Sequence, residues 1–174
     1  MHQGPVDEAI EFLKGTSLRS AAGAVETPML SLAVIRYCAE EVARQRDEPE
    51  AVAWMCDAWA EAMRAKAAGE PLSLGLIETF GKLTSPPMNT IGFRQGGVRV
   101  GNRVCPPPSV IVASLDDLLR RAPKLGPDRT YYEYELIHPF NDGNGRTGKI
   151  ILNWLNDSLA TPIMPSNWFN CANP

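Results

Sequence analysis

The run HPFNDGNGRTGK, residues 138–149, constrains this chain more than any other segment. Apolar residues recur in and after it at three- and four-residue spacing, which predicts a helix from Arg146 onward. Gly143 and Gly145 then lie in a turn at the N-terminus of that helix. Main-chain N–H groups in such a turn point outward and form a nest for an anion. The segment therefore predicts an anion-binding turn.

The charged side chains of the same segment indicate which anion it binds. Arg146 and Lys149 are three residues apart, so they share one face of the first helical turns and add positive charge. Asp142 would be repelled by phosphate unless a hard divalent cation such as Mg²⁺ lies between them. His138 is then placed to transfer a proton at the edge of the site. A nucleotide phosphate chain with Mg²⁺ satisfies all of these groups.

The segment resembles the Fic family signature, H-x-F-x-(D/E)-G-N-G-R-x-x-R, and departs from it at the last position, where Lys149 replaces arginine. The family transfers part of a nucleotide, usually AMP from ATP, to a hydroxyl side chain of a target protein. The resemblance implies that His138 is the base that deprotonates this hydroxyl, that Asp142 is the Mg²⁺ ligand and that Phe140 is a buried ring supporting the loop. The nucleotide-binding residues that it implies are Gly143, Asn144, Gly145, Arg146 and Lys149.

Residues 91–101 predict a small β-hairpin, because Val98 and Val100 alternate between the turn pairs at 96–97 and 101–102. A plain connecting ribbon is the alternative. Fic proteins have a similar G-x-x-R…V-x-I-G ribbon before a proline pair, a flap that clamps the target by strand addition. The resemblance therefore implies a target-docking flap that includes Gly96, Gly97, Val98, Arg99 and Val100.

The rest of the chain predicts helices, so the expected fold class is mainly α: a Fic-type helical bundle with one small β-hairpin. Apolar spacing predicts helices at about 6–14, 28–46, 49–69, 72–83, 109–121 and 127–138. A length of 174 residues fits one domain with a sizeable core. We expect a single Fic domain over 1–174, with N-terminal helices in 1–70, the core with flap and motif in 72–160, and a short tail in 161–174. Trp168 and Phe169 are expected to cover one end of the core.

Composition restricts the partners and the compartment. The formal net charge of −3 gives no indication of nucleic acid or an anionic membrane as a partner. No apolar run approaches the roughly 20 residues that span a bilayer, and the first residues show no signal peptide. The four cysteines are scattered without metal-site spacing, which suits a reducing compartment. We expect a cytoplasmic protein, or one delivered into a host cytosol by a route that the sequence does not show.

Three functions remain open at this point. The first is AMP transfer from ATP to a protein hydroxyl, with Mg²⁺ as cofactor. The second is a Fic-fold transferase for another nucleotide or group, such as phosphate in Doc-like kinases, and the third is a catalytically silent nucleotide-binding domain. Known phosphate-transferring relatives carry Ala and Lys in the Gly-Asn-Gly turn, so Gly143 and Gly145 favour nucleotidyl transfer. Lys149 weakens this preference, because it lacks the bidentate guanidinium of arginine.

The resemblance also raises the question of regulation. Many Fic enzymes are held inactive by a helix with the pattern (S/T)-x-x-x-E-(G/N), whose glutamate pairs with the second arginine of the signature. This chain contains no such string. We therefore expect either a separate small inhibitory protein of the kind found in toxin–antitoxin pairs, or a weak or unrestrained enzyme.

Overall fold

The computed structural model describes residues 29–45 and 48–166, which form a mainly helical fold with one small antiparallel sheet. The helices are α1 (Leu32–Gln45), α2 (Glu50–Ala67), α3 (Leu74–Thr84), α4 (Ile111–Leu125), α5 (Pro127–Ile137) and α6 (Asn144–Leu155). The strands are β1 (Arg99–Val100) and β2 (Arg103–Val104), and a 3-10 turn at Pro108–Val110 precedes α4. The mainly α class with one hairpin is thus confirmed. The helix expected at 6–14 and the expected cover by Trp168 and Phe169 lie outside the described residues.

Helix α6 is at the centre of the fold. It packs against α2, α3 and α5, and every residue from Arg146 to Trp154 is buried. A helix that is buried on all faces is normally apolar throughout. This one also carries charged and amide side chains, so its neighbours must supply partners for them. None of the helices described is long and apolar enough to cross a membrane.

The apolar core consists of two clusters that meet at α3 and α6. The first cluster joins α1, α2, α3 and α6 and includes Val34, Cys38, Met55, Trp59, Phe80, Ile150 and Trp154. The second joins α3, α4, α5, α6 and the loop before α6 and includes Ile77, Leu115, Leu118, Tyr134, Phe140 and Ile151. The loop that carries the motif is therefore fixed by its own buried ring within the second cluster.

Short-range capping signals set several helix ends. The Ser73 hydroxyl accepts a hydrogen bond from a main-chain N–H in the first turn of α3. The Ser31 hydroxyl does the same for α1, so this helix begins later than the start expected near residue 28. Ser109, where the helix was expected to begin, lies instead inside the 3-10 turn, and α4 runs four residues beyond the expected end at Arg121. A proline-rich approach favours the tighter turn there.

The hairpin lies slightly later in the chain than the sequence indicated. Arg99 pairs with Val104 and Val100 pairs with Arg103, so the turn is formed by the glycine–asparagine pair at 101–102. The glycine pair at 96–97 precedes β1 and forms no hairpin turn. Val98 lies outside the strand, although its carbonyl still accepts a hydrogen bond from the Cys105 N–H at 3.0 Å. A two-residue turn fixes the register, which places the strands at 99–104.

A glycine in α3 tests how tightly the motif loop is packed. A Cβ atom at Gly81 would lie 2.1 Å from Cζ of Phe140, whereas a Cβ at Gly75 would meet nothing closer than the Ser73 hydroxyl at 3.9 Å. We expect Gly81→Ala to lower the free energy of unfolding by roughly 1–3 kcal/mol because the ring must shift. Gly75→Ala, the control, should leave it unchanged or raise it by up to about 1 kcal/mol. Urea unfolding of both variants measures this; equal effects would contradict the packing.

Candidate functional site

His138 follows the last residue of α5 in a left-handed conformation, with φ 50° and ψ 65°. Residues other than glycine adopt this conformation rarely, and such residues often occur at functional sites. Its N–H still bonds to the carbonyl of Tyr134 at 3.0 Å, and Pro139 has no N–H to continue the helix. The imidazole is therefore presented at the point where the chain leaves α5 for the motif loop.

A buried arginine holds this point in place. Arg94 donates from Nε to the main-chain carbonyl of His138 at 2.7 Å, and from Nη2 to that of Ile137 at 3.3 Å. The same guanidinium donates to the carbonyls of Gly96 at 2.8 Å and Pro106 at 2.6 Å, on either side of the hairpin. One side chain thus joins the C-terminus of α5 to the base of the hairpin.

A second arginine of the hairpin acts at the same helix end. Arg103 on β2 donates to the main-chain carbonyls of Leu136 at 2.8 Å and Glu135 at 3.0 Å. Cations are favoured at a helix C-terminus, where the carbonyl dipoles converge. Burial first, and then the charge of Arg103, lower the pKa of His138 below its ordinary value. A lowered pKa favours the neutral imidazole, which is the form that can accept a proton.

Asp142 lies on the other side of the motif loop with its side chain 42% exposed. Its Oδ2 accepts hydrogen bonds from the Ser85 hydroxyl at 2.6 Å and from Nη2 of Arg146 at 2.8 Å. The amide of Asn89 donates to its main-chain carbonyl at 2.9 Å. In the part of the chain that the structure describes, no donor contacts Oδ1. Sequence reasoning missed Ser85 and Asn89, which belong to no recognisable motif.

The carboxylate of Asp142 fits a Mg²⁺ ligand. Mg²⁺ in nucleotide sites is bound by one or two carboxylates, and its other ligands are phosphate oxygens and waters. An exposed carboxylate with one oxygen engaged and one open provides such a ligand at the mouth of the glycine-flanked turn.

The turn itself is closed by Gly143 and Asn144. Gly143 caps α6 with φ 71°, and a Cβ there would lie 2.9 Å from Oγ1 of Thr84. The Asn144 side chain accepts from the N–H of Phe140 and donates to its carbonyl, both at 2.9 Å. Asn144 can therefore offer a ligand its main chain but not its amide. Helix α6 begins two residues earlier than expected, so Gly145 lies within its first turn.

Phe140 is fully buried beneath this loop. Its ring lies 5.3 Å from that of Phe93 and against Gly81 of α3. The loop is consequently attached to the core at its middle, while its two ends carry His138 and Asp142.

Helix α1 covers the remaining motif residues. Nζ of Lys149 lies 2.6 Å from Oε1 of Glu41, and both side chains are buried. The Glu41 carboxylate also accepts from Arg44 and from Nε2 of Gln45. This amide nitrogen lies 2.7 Å from where a Cβ at Gly145 would be. The structure thus places Lys149 in an ion pair with α1, and Gln45 beside the first turn of α6.

Glu41 was missed by sequence reasoning, although one signal was available. It falls seven residues after Val34 and three after Cys38, on the buried face of α1. A carboxylate on an apolar helical face requires a buried partner. The sequence does not indicate which cation supplies it.

Comparison with known proteins agrees with this architecture. Residues 75–156 match the model of the Fic/DOC family. The matched residues run from the first turn of α3 to the end of α6 and include the hairpin and the motif loop. No curated protein matched the chain significantly.

Three solved structures share the fold. IbpAFic2 covalently tethered to Cdc42 has a TM-score of 0.58 at 17% identity, over 92% of this chain and 58% of that one. A histidine-to-alanine variant of IbpAFic2 in complex with adenylylated Cdc42 has a TM-score of 0.57 at 18% identity, over 92% of this chain and 57% of that one. IbpAFic2 alone has a TM-score of 0.52 at 18% identity, over 95% of this chain and 58% of that one. This chain therefore spans less than two thirds of the length of these structures.

The ion pair between α1 and α6 provides a stability test. Glu41→Gln leaves the Lys149 ammonium buried without a charged partner, so we expect the free energy of unfolding to fall by about 3–5 kcal/mol. Glu40→Gln alters the exposed neighbour on the same helix and should change it by less than about 0.5 kcal/mol. Thermal and denaturant unfolding measure both. A small effect at Glu41 would show that Lys149 is not held as the structure indicates.

Proposed function

We propose that this protein transfers AMP from ATP to a hydroxyl side chain (Ser, Thr or Tyr) of a target protein. The observation that carries the proposal is the placement of His138, in a left-handed conformation, one short loop away from an exposed carboxylate and a glycine-capped helix N-terminus. A base, a candidate cation ligand and an anion-binding helix end are together what nucleotidyl transfer requires. The Fic/DOC match over 75–156 supports the same chemistry.

The proposed reaction proceeds at the α-phosphorus. His138 accepts the proton of the target hydroxyl as that oxygen forms a bond to the α-phosphorus. The bond from this phosphorus to the oxygen that bridges to the β-phosphate breaks, and pyrophosphate leaves with the electron pair. The Gly143–Arg146 turn would orient the phosphates with its N–H groups and a guanidinium. When bound at Asp142, Mg²⁺ supplies charge neutralisation for the phosphate oxygens.

Transfer of another group is the second candidate, and the environment of Lys149 favours it. An arginine at this place would hold the terminal phosphate through two parallel hydrogen bonds. Here a lysine is engaged with Glu41, so the orientation of the donor is less constrained. Another nucleotide, or phosphate from a donor bound in the reverse sense, then competes with AMP. A silent nucleotide-binding domain is disfavoured because His138, Asp142 and Arg146 are all present in the motif.

The hairpin is the proposed docking site for the target. Val100 is 41% exposed and Val104 is 67% exposed, on a two-stranded ribbon beside His138. A ribbon whose outer edges are unpaired can accept a further strand through main-chain hydrogen bonds. Residues 96–100 would guide a target segment toward the imidazole.

We propose two possible sources of restraint on the activity. A separate small inhibitory protein is one source of restraint. Glu41 is a second, because it holds Lys149 and, through Gln45, brings α1 over the first turn of α6. We propose a cytoplasmic location, or delivery into a host cytosol.

Substitution of the base tests the proposal. His138→Ala should lower the labelling rate of a target lysate by about 10²–10⁴-fold, because the base acts when the hydroxyl attacks. Affinity for Mg-ATP should change little, and His2→Ala serves as the control. Labelling is measured with ATP carrying the label at the α-phosphate and, separately, at the γ-phosphate.

The two labels separate the candidate functions. Incorporation of the α-label alone supports AMP transfer, whereas incorporation of the γ-label alone would show phosphate transfer. Equal labelling by His138→Ala and the parent protein would contradict the role of the base.

A second test concerns the cation. Asp142→Asn keeps acceptors for Ser85 and Arg146 but removes the carboxylate charge. We expect about tenfold weaker ATP binding with Mg²⁺, equivalent to about 1.4 kcal/mol, and no change in EDTA. Calorimetric titration in both conditions measures this, with the exposed Asp116→Asn on α4 as the control. An equal loss with and without Mg²⁺ would show that Asp142 acts through the loop and not through a metal.

A further inference from the structure

We propose that Glu135 is a positioning residue, whose side-chain carboxyl accepts the Nδ1–H of His138 and so keeps Nε2 unprotonated for the reaction. Nothing in the motif assigns a role to this residue, which precedes it by three positions in α5. The inference rests on the proposed role of His138 as the base.

The geometry brings the Glu135 carboxyl close to the imidazole of His138. Oε2 of Glu135 lies 3.8 Å from Nδ1 of His138. Nδ1 is buried, as is Oε1 of Glu135, and neither has a hydrogen-bond partner among the residues described. The separation is longer than a hydrogen bond, as is common at catalytic groups before the substrate is bound. The carboxyl group therefore lies within about 1 Å of hydrogen-bond distance from a buried nitrogen that lacks a hydrogen-bond partner among the residues described.

The burial of Nδ1 decides which nitrogen acts as the base. The His138 side chain is 18% exposed while Nδ1 is buried, so Nε2 is the nitrogen that a target hydroxyl can reach. Nε2 accepts a proton only when the proton of the neutral ring resides on Nδ1. A hydrogen bond from one ring nitrogen fixes the tautomer at the other. An acceptor beside Nδ1 is thus a requirement of the proposed chemistry.

The fold makes room for this carboxyl. A Cβ at Gly148 of α6 would lie 2.6 Å from Oε1 of Glu135 and 2.8 Å from the ring of Tyr131. The absence of a side chain at Gly148 therefore lets the carboxyl lie between α5 and α6. This explains a glycine in the middle of a buried helix, where it lowers helix stability relative to alanine.

Burial, more than the neighbouring charges, sets the pKa of Glu135. Burial raises its pKa to about 7, the charge of Lys149 and that of Arg103 lower it, and Glu41 raises it. The carboxyl group retains an acceptor oxygen in either protonation state. The proposal therefore does not depend on its charge.

The main-chain carbonyl of Glu135 is a second possible acceptor for Nδ1–H, and its effect must be distinguished from that of the side chain. The main-chain carbonyl of Glu135 also interacts with His138 and raises the pKa of the imidazole, although it already accepts a hydrogen bond from Arg103. Substitution of the side chain leaves this carbonyl in place. Side-chain variants therefore distinguish the two acceptors.

The experiment observes the imidazole directly. The chain has two histidines, His2 and His138, so ¹⁵N NMR of the ring nitrogens is readily assigned by His2→Gln. Two variants are compared at pH 7 with the parent: Glu135→Gln, which keeps one acceptor oxygen but replaces the other with an amide donor, and Glu135→Met, which removes the buried carboxyl without a polar replacement. Glu133→Gln, on the same helix and paired with Arg121 and Arg129, is the matched control.

We expect the parent and the control to show the proton on Nδ1, Glu135→Met to shift it partly to Nε2, and Glu135→Gln, which keeps an acceptor oxygen, to shift it less. Target labelling should fall at least about tenfold, less than the roughly 10⁴-fold loss seen when a catalytic histidine loses a carboxylate at hydrogen-bond distance. An unchanged tautomer in both folded variants would overturn the proposal and leave the main-chain carbonyl as the orienting group. If the tautomer shifts while the parent labels no target, the proposed function fails and the positioning role stands.

Discussion

The fold depends on one constraint: α6 is buried on all faces and still carries polar and charged side chains. Each of these costs several kcal/mol unless it finds a partner. The partners come from different elements, so satisfying α6 fixes where those elements lie. Its polar contacts run from Thr147 to Thr84 of α3, from Lys149 to Glu41 of α1, and from Asn153 to Ile163 of the tail.

Local contacts of the site could be predicted from the sequence, and distant ones could not. The motif loop closes through Asn144 and Phe140, and the Arg146–Asp142 pair spans one helical turn, so spacing alone brings these groups together. Ser85, which donates to Asp142, lies 57 residues away from it along the chain, and Glu41, which pairs with Lys149, lies 108 residues away. A single sequence shows that a buried charge needs a partner but carries no signal for which residue meets it.

Two arginine side chains connect the hairpin to the end of α5 that carries His138. Arg94 and Arg103 flank and enter the hairpin, and both donate to carbonyls at the C-terminus of α5, next to His138. Their charges also lower the pKa of the imidazole. A displacement of the ribbon by a docked segment would therefore act on the position and the basicity of the same ring. The sequence placed Arg94 in the ribbon, whereas Arg103 followed the expected hairpin and was not singled out.

Lys149, where the chain departs from the family signature, forms a buried ion pair with Glu41, which the sequence did not indicate. A compact ammonium on a flexible stem reaches the buried Glu41 carboxylate and lies 5.7 Å from the centre of the Tyr131 ring. A guanidinium fork is larger and planar, so an arginine at this position would meet Glu41 in a different geometry. The pair also lies beside Glu135, where Lys149 lowers the pKa of the carboxyl and Glu41 raises it. A change of charge at position 149 would therefore alter the balance of charge at Glu135, which lies beside His138.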